Sequence, residues 1–422
     1  MRHLSLSEYR TATEVELSDV ELAEIRRLAE SIAISPSITA LGTFDLTPGS
    51  HVGAIRISDL AIDIQPKIPL DRLLFLISYS VDPRRWQELD FDFGERDSLL
   101  EAIIPGFVIH TRRALRQGLL QGYISVEDSL ATVRGRIRFD DQLRDRYGIF
   151  PPVEVRYDEF TEDIVENRLI KAALARLGRL RIRSAEVRRS LRAFDAALAN
   201  VSLVEYHPSQ LPEISWTRLN EHYKPAVELA KLILQATSFE VSHGAVRSTA
   251  FLVDMNRVFE DFVVTALRES LSVSETVFPQ GSYRHTTYLD HGRQIRLQPD
   301  ISWWQGRECL FVGDVKYKRV DHRGVKHADI YQLLSYTIAA DLPGGLLIYA
   351  AGEADGAMHE IRHLGKRLQV IPLDLDGTPE QILKQIDVVA NRIRGLRDEA
   401  RGSDYRAIVP HNNRMVLPTR SS

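Results

Sequence analysis

Apolar positions with helical spacing appear early in the chain. Ser18 and Glu21 have the spacing of a capping box, ahead of an amphipathic helix in "SDVELAEIRRLAESI". Residues 55–57 and 61–64 then alternate apolar and polar side chains on either side of a short turn, which predicts a β-hairpin. Helical spacing returns in "DRLLFLISYS" and in "SLLEAIIPGFVIHTRRALRQGLL", where we expect Pro105 to interrupt the helix. With a strand-rich patch at 121–139, this pattern predicts an N-terminal α+β domain over residues 1–155.

The second half of the chain changes pattern twice. Residues 156–245 are mostly helical, broken at Pro208 and Pro212, and predict a helical connector. From residue 246, helices and strands alternate around buried apolar runs, which indicates an α/β domain over 246–375. The expected elements are a helix at 253–271, strands near Val277 and at 295–304 and 309–318, a helix at 327–340, and strands at 344–350 and 368–375. Residues 376–422 are expected to form a C-terminal helix capped by Thr378 and a loose tail.

Composition narrows the class of protein. The 422 residues are 44% hydrophobic and 27% charged, which is typical of a globular protein with two or three domains. A single cysteine, Cys309, excludes an internal disulfide framework and a four-cysteine metal site. The N-terminal residues lack the apolar core of a signal peptide, and no apolar run approaches the length of a membrane span. We therefore expect a cytoplasmic protein with no membrane contact.

Two basic segments stand out against a net charge of −4. "VRGRIRF" places Arg134, Arg136 and Arg138 on one side of a predicted strand, and seven arginines lie between Arg176 and Arg192. Either segment is consistent with phosphate binding or with an ordinary solvated surface.

Charged residues interrupt two apolar strands in "LQPDISWWQGRECLFVGDVKYKR". Asp314 and Lys316 are two residues apart on one strand and so project from the same face, while Asp300 belongs to the neighbouring strand across the turn at 305–307. Two carboxylates can share one hard cation such as Mg²⁺, with Mn²⁺ as a substitute. Lys316 beside that ion could orient or deprotonate an attacking water. The pattern predicts metal-assisted hydrolysis of a phosphodiester.

Neighbouring helices offer further polar groups. Glu260 lies at the edge of an apolar helix face, and Gln332 and Tyr336 are four residues apart on the helix after the second strand. Plain surface polarity is the alternative for Glu260 and Gln332. Lys318 and Arg319 lie at the end of the expected strand and are candidates for phosphate contacts.

Two other patterns compete with this interpretation. "HEIRH" at 359–363 matches a zinc-protease motif, but its glycine-rich surroundings predict a strand, a loop and a second strand instead of the helix that this motif requires. Trp303 and Trp304 could stack on nucleic-acid bases, although core packing is the commoner role for such residues.

These residues also carry a family resemblance. In order along the chain, "AIDIQPKI", "VRGRIRF", "YDEFTEDIVENRLIKAALARL", "FLVDMNRVFEDFV", "QPDISWW", "GDVKYK" and "DIYQLLSY" resemble segments of the McrC family. McrC proteins are the nuclease subunits of McrBC modification-dependent restriction systems, in the PD-(D/E)xK superfamily. The resemblance implies a restriction-endonuclease-like fold for residues 246–375. It implies that Asp300, Asp314 and Lys316 are catalytic, that Glu260 is a further metal ligand, and that Glu260 and Gln332 support catalysis. Tyr336, Lys318 and Arg319 are expected to contact DNA.

The resemblance implies partners as well. McrC-like proteins work with McrB, an AAA+ GTPase hexamer that recognises methylated double-stranded DNA and whose hydrolysis the McrC N-terminal domain stimulates. This chain contains no G-x-x-x-x-G-K-[ST] phosphate loop, which agrees with a separate GTPase. We expect the hairpin at 55–67 to take part in that contact. Two alternatives remain open at this point: a stand-alone RecB-type repair nuclease and a non-catalytic DNA-binding adaptor.

Overall fold

The structure is a computed structural model that describes residues 2–28, 31–84, 86–88, 99–180, 182–208, 210–236, 241–243, 246–281, 287–317, 327–350 and 356–402. The chain divides into two compact units. The first comprises residues 1–67 and 85–254, and the second comprises residues 68–84 and 255–422. No helix among the described residues has the length and apolar character needed to cross a membrane.

Helices and strands alternate through both units. The α-helices of the described residues are α1 (Asp19–Arg27), α2 (Leu70–Val81), α3 (Leu99–Ala114), α4 (Phe139–Asp145), α5 (Val165–Gly178), α6 (Ala185–Ala197), α7 (Lys224–Gln235), α8 (Met255–Leu271), α9 (His327–Ala339) and α10 (Pro379–Arg401). The strands are β1 (Arg2–Ser7), β2 (Ala12–Val15), β3 (Ile32–Pro36), β4 (Phe44–Pro48), β5 (His51–Ile57), β6 (Leu60–Gln65), β7 (Gly122–Leu130), β8 (Arg136–Ile137), β9 (Val153–Thr161), β10 (Val241–His243), β11 (Val246–Asp254), β12 (Thr287–Tyr288), β13 (Arg296–Leu297), β14 (Ile301–Gln305), β15 (Glu308–Lys316), β16 (Gly344–Ala350), β17 (Ala357–Glu360) and β18 (Arg367–Leu373).

A five-stranded sheet with the order β1-β6-β5-β11-β10 lies in the first unit. Strands β5 and β6 form the predicted hairpin, but the hairpin is internal to the sheet, because β6 pairs with β1 and β5 pairs with β11. Gly53 in β5 has a φ of +138°, and a Cβ there would clash with the carbonyl oxygen of Phe251. The predicted hairpin is confirmed, and the structure places it in the middle of the sheet. A role for it in partner contact stays a prediction.

Helices and two small sheets complete the first unit. α1 begins with the predicted capping box, in which Ser18 and Glu21 satisfy each other's backbone N–H groups. α3 continues through Pro105, so the expected interruption is wrong. Proline removes one backbone hydrogen bond of the helix, but the burial of the neighbouring Ile104 and Phe107 side chains stabilises the helix by more than this loss. α5 packs on α7, and α3 packs on α6 and α7. The small sheets have the orders β2-β4-β3 and β7-β9-β8.

A second five-stranded sheet, β14-β15-β16-β18-β17, organises the second unit. β15, β16 and β18 are parallel, whereas the edge strands β14 and β17 are antiparallel to their neighbours. α9 packs on β15 and β16, and α8 and α10 pack on each other and on β15. At Gly345, a Cβ would lie 2.8 Å from a methyl group of Leu333, so the missing side chain lets α9 approach the sheet closely. The predicted α/β fold is confirmed.

Helix α2 also belongs to the second unit. It packs against α8, where the rings of Phe75 and Tyr79 meet that of Phe262 at centroid distances of 5.4 Å and 5.6 Å. These edge-to-face contacts are typical of a well-packed aromatic core.

Some predicted elements differ from the structure. The strand expected near Val277 is a turn, and only Gln280 forms an isolated bridge, to Ile301. The strand expected at 295–304 is two strands, β13 and β14, separated at residues 298–300. In "VRGRIRF" only residues 136 and 137 are in a strand, because α4 begins at once after Arg138.

The two compact units do not coincide with the four segments predicted from sequence. α5, α6 and α7 of the predicted connector lie within the first unit, and α2 from the predicted N-terminal domain lies within the second. α10 is confirmed, with its cap at Thr378. The predicted tail from residue 403 lies outside the described residues.

Candidate active site

Three of the predicted residues meet where β14 and β15 run side by side. Ile301 pairs with Gly313 in an antiparallel register, so Asp300, just before β14, lies across from Asp314. Asp314 and Lys316 share one face of β15 with Val312, which packs in a cluster with Leu333 of α9. The site therefore lies on the side of the sheet that α9 covers.

The ammonium group of Lys316 joins the two carboxylates. Its Nζ lies 2.5 Å from Oδ2 of Asp314 and 3.5 Å from Oδ2 of Asp300. The backbone N–H of Val315 donates to Oδ2 of Asp300 at 2.8 Å, and the Asp300 carbonyl accepts from the N–H of Gly281. Asp300 is thereby held in place by backbone groups on both sides.

Asp314 is the most deeply buried member of the group, with no exposed surface. Among the described residues, neither of its carboxylate oxygens accepts a well-formed hydrogen bond. Burial first, and then the charge of Asp300, raise the pKa of Asp314 to about 8. Burial alone would lower the pKa of Lys316, but the charges of Asp300 and Asp314 outweigh it and raise that pKa.

Unsatisfied buried oxygens of this kind suit a cation. A buried carboxylate that accepts no well-formed hydrogen bond, faces a second carboxylate and has an ammonium group close to one of its oxygens is an environment that also suits Mg²⁺ or Mn²⁺. Within the described part of the chain, no group of three or more His, Cys, Asp or Glu side chains is arranged to hold a metal ion. The residues present fit an ion held by the two aspartates, with its other ligands supplied from outside the protein.

Glu260 approaches the site from α8. Its Oε1 accepts a hydrogen bond of 3.2 Å from the side-chain amide of Gln280, which also donates to Asp261 at 2.6 Å. Burial, followed by the charges of Asp300 and Asp261, raises the pKa of Glu260 to about 7. Glu260 is therefore within electrostatic reach of Asp300, although it does not complete a three-ligand cluster.

Gln332 and Tyr336 share a face of α9, as predicted. The Gln332 amide donates to the Tyr336 hydroxyl at 2.6 Å, and that hydroxyl donates to the carbonyl oxygen of Gln298 at 2.9 Å. Gln298 is two residues before Asp300, so this chain of hydrogen bonds anchors the segment that carries the aspartate. Burial and the charge of Asp314 raise the pKa of Tyr336 to about 12. Tyr336 is 3% exposed, which leaves little of it for a contact with DNA.

Two residues of the site were not identified from sequence. Tyr349 pairs with Lys316 across β15 and β16, and its hydroxyl donates to Asp329 of α9 at 2.5 Å. Its position within the apolar run "GGLLIYA" could have suggested a buried hydroxyl that needs a partner. Gln280 could not have been found, because it follows a turn where a strand was expected.

The structure bears on only some of the other residues that the sequence suggested for DNA contact or metal binding. Lys318 and Arg319 lie outside the described residues. Trp303 is buried under the guanidinium group of Arg397, 4.6 Å from the ring centre, so packing explains it. His359 lies in β17 and His363 in the following turn, so "HEIRH" does not form the helix that a zinc protease requires.

Comparisons with known proteins agree with this architecture. Residues 46–350 match the family described as "McrBC 5-methylcytosine restriction system component". The chain is 22% identical over 309 residues to the type IV methyl-directed restriction enzyme EcoKMcrBC of Escherichia coli (strain K12), which covers 68% of this chain and 86% of that protein. A chain from the half-complex of the tetradecameric assembly of Thermococcus gammatolerans McrB AAA+ hexamers with bound McrC is similar in fold. Its TM-score is 0.50 at 17% identity, with 93% of this chain and 100% of that chain covered.

Proposed function

The chain belongs to the family of McrBC 5-methylcytosine restriction system components, and from this premise we propose that it is the DNA-cleaving subunit of such a system. The observation that carries the proposal is the contact of Lys316 with both Asp300 and Asp314 at the start of β14 and the end of β15. Two carboxylates and an ammonium group on neighbouring strands form the acid, acid and lysine set of a PD-(D/E)xK nuclease. The proposed reaction is hydrolysis of a DNA phosphodiester bond.

The aspartates would hold the metal. Asp300 and Asp314 would bind Mg²⁺, or Mn²⁺ in its place, and Glu260 is the proposed third acid. When bound, such an ion supplies Lewis-acid stabilisation of the charge that develops on the phosphate. The backbone N–H of Val315 and the Tyr336 to Gln298 hydrogen bond keep Asp300 in position before substrate arrives.

Lys316 would act as a fixed positive charge. Because the adjacent carboxylates raise its pKa, the ammonium group keeps its proton at neutral pH. It can donate hydrogen bonds to an attacking water or to a non-bridging phosphate oxygen. In this proposal, Lys316 orients the attacking water and stabilises negative charge on the phosphate. A different group removes the proton from the water.

The proposed partner is a ring of AAA+ GTPase subunits. A solved relative is described as McrB AAA+ hexamers with bound McrC, and this chain contains no phosphate loop of its own. We propose that the GTPase recognises methylated double-stranded DNA, that the first unit stimulates its hydrolysis, and that the second unit cuts. The system would act in the cytoplasm against foreign DNA.

A cleavage assay tests this function. The purified chain is mixed with Mg²⁺ and either methylated or unmethylated DNA, with and without the AAA+ GTPase from the same host and GTP. Efficient cutting of methylated DNA only when the GTPase is present is the expected result. Efficient cutting with Mg²⁺ alone would instead indicate a stand-alone repair nuclease, and no cutting in any mixture would indicate an adaptor.

A further inference from the structure

The turn that contains Gln280 and Gly281 contacts both helix α8 and strand β14. On the α8 side, Nε of Arg268 donates a hydrogen bond of 2.8 Å to the carbonyl oxygen of Phe278. On the β14 side, the backbone N–H of Gly281 donates to the carbonyl oxygen of Asp300 at 2.9 Å, and Gln280 forms a β-bridge with the first residue of β14. The backbone of this turn is therefore held by the helix and by the strand end from which acids of the candidate site project.

Packing also fixes the position of this turn. The ring of Phe278 has no exposed surface. It meets the ring of Trp303 edge-on at a centroid distance of 6.1 Å and lies nearly parallel to the ring of Phe311 at 6.4 Å. Because Phe278 is two residues before Gln280, the backbone from which the Gln280 side chain extends has little freedom to move.

The side-chain amide of Gln280 contacts two carboxylates of α8. It donates to Oε1 of Glu260 at 3.2 Å and to Oδ1 of Asp261 at 2.6 Å, and an amide nitrogen carries one N–H group for each acceptor. Asp261 is itself paired with Arg257 one turn earlier, with 3.7 Å between Oδ2 and Nε. Asp261 thus anchors the amide, and the amide orients the Glu260 carboxylate.

Glu260 keeps one oxygen for another ligand. Among the described residues, Gln280 is the only hydrogen-bond donor to Glu260, and it contacts Oε1 alone. An amide donor orients a carboxylate without cancelling its charge, whereas the ammonium group of Lys316 pairs directly with Asp314. Since Asp300 lies within electrostatic reach of Glu260, the charge that Gln280 leaves in place adds to the attraction of this site for a cation.

We propose that Gln280 is a positioning residue for the divalent ion: it holds the Glu260 carboxylate with one oxygen free for the ion that Asp300 and Asp314 would bind. This role rests on the proposed function, because that function supplies the ion. Groups that orient the ligands of a metal through hydrogen bonds change metal affinity by about 10- to 100-fold when they are removed. The competing interpretation is that Gln280 only stabilises the turn.

Calorimetric titration of the full chain with Mn²⁺, in the absence of DNA, tests this role. Gln280→Met removes the amide and keeps a side chain of similar length, and it should weaken Mn²⁺ binding about tenfold. Gln280→Lys should weaken binding by more, because an ammonium group beside Glu260 opposes the approach of the ion. Gln294→Met and Gln294→Lys are matched controls at an exposed glutamine of the same unit, whose side chain makes no hydrogen bond with a described residue. Both controls should bind Mn²⁺ as the wild type does.

A double-variant cycle with Glu260→Gln shows whether Gln280 acts through Glu260. In the Glu260→Gln background, Gln280→Met should cause no further loss of Mn²⁺ affinity, because the carboxylate that Gln280 orients is gone. An equal loss in both backgrounds indicates a purely structural role and overturns the proposal, as does Mn²⁺ binding by Gln280→Met that is as tight as in the wild type. Thermal unfolding without metal confirms that each variant is folded. Gln280→Lys, which keeps a donor to both carboxylates, takes the place of Gln280→Met in the cycle if the latter does not fold.

The outcome for Gln280 and the outcome for the proposed function can be told apart. If Mn²⁺ binding is lost in Asp300→Asn but unchanged in Gln280→Met, the positioning role fails and the proposed function stands. If Mn²⁺ binding depends on Gln280 but the wild-type chain never cuts DNA with the GTPase present, the nuclease function fails and the positioning role stands. A wild-type chain that takes up no Mn²⁺ overturns the metal site and the role of Gln280 together.

Discussion

The ammonium group of Lys316 lies 2.5 Å from a carboxylate oxygen of Asp314 that has no exposed surface. A buried carboxylate normally receives several hydrogen bonds, yet Asp314 receives none of good geometry from the described residues. Its position is costly for folding and useful for binding a cation. This conflict makes the pair a sensitive place to test the proposed function.

Replacing Asp314 by asparagine should abolish cleavage while making the metal-free protein more stable. The substitution keeps the shape of the side chain and removes an acid whose ionised form is disfavoured by burial and by Asp300, so the midpoint of thermal unfolding should rise by about 3 °C. Cleavage assays and scanning calorimetry without metal measure the two effects. Asp376→Asn, at an exposed aspartate of the same unit, is the control and should change neither quantity. Wild-type cutting by the Asp314 variant would exclude its assignment.

Removing the charge of Lys316 should have the opposite effect on stability. In Lys316→Met, Asp300 and Asp314 face each other without a cation, which should cost about 3 kcal/mol of unfolding free energy and all detectable cleavage. Denaturant unfolding measures the loss. The double variant Asp314→Asn/Lys316→Met should recover a large part of it, because the repulsion between carboxylates is then absent. The double variant should also be more stable than the sum of the two single effects predicts, and if the two effects simply add, the ion pair does not hold this site.

Tyr336→Phe tests whether the tyrosine hydroxyl positions Asp300. Loss of the hydrogen bond to the Gln298 carbonyl should lower the cleavage rate about tenfold, with at most a small loss of stability. The decrease should appear in the maximal rate and leave the DNA concentration for half-maximal rate unchanged. Tyr331→Phe, at an exposed tyrosine of the same helix, is the matched control. Equal rates for the two variants would remove Tyr336 from the mechanism.

A divalent ion should stabilise the wild-type chain in the absence of DNA. Binding to the folded state alone raises the unfolding free energy by about 1.4 kcal/mol when the ion is at ten times its dissociation constant. Titration with Mg²⁺ or Mn²⁺ during thermal unfolding measures the effect. Asp300→Asn should suppress it, and Asp376→Asn should not. A rise of the same size in both variants would show that the ion binds elsewhere.

The first unit should lose stability in acid through Asp163. Hydrogen bonds from Arg168, at 2.8 Å and 2.9 Å, and then from Ser202, hold the pKa of Asp163 well below its usual range. Because this pKa is lowered on folding, the stabilisation is complete above the usual value of about 4 and is lost as the pH falls below it.

Asp163→Asn should therefore cost about 2 kcal/mol near neutral pH and progressively less as the solution is acidified. Denaturant unfolding at a series of pH values measures the difference from wild type. Asp158→Asn, an exposed aspartate of the same unit, should cost little at any pH. A difference that stays constant down to strong acid would contradict the role of the Asp163 charge.

Local patterns in the sequence predict much of the fold. The capping boxes at Ser18 and Thr378 depend on residues three apart, and the helices that they begin are present in the structure. The expectation at Pro105 is wrong because burial of the surrounding turns, a property of the folded chain, outweighs the local penalty. The inclusion of α2 in the second unit depends on contacts with α8, which is almost 200 residues away in sequence.

The candidate site likewise contains some contacts that short-range spacing in the sequence predicts and others that only the folded chain creates. The shared face of Asp314 and Lys316 follows from strand geometry, and that of Gln332 and Tyr336 from helix geometry, so both could be predicted. The contacts of Gln280 with Glu260, and of Tyr349 with Asp329, join residues about 20 positions apart on different elements. No periodicity specifies which side chains will meet across such a distance.

The aromatic contacts of Phe75 and Tyr79 with Phe262 make α8 dependent on a helix that lies almost 200 residues earlier in the chain. A product of internal translation initiation downstream of residue 84 would lack α2 and leave this side of α8 exposed to water. Such a shortened protein should aggregate or be degraded, because an apolar helix face exposed to water favours association. Residues 68–84 are therefore part of what the second unit needs in order to fold, although they lie far from residues 255–422 in sequence.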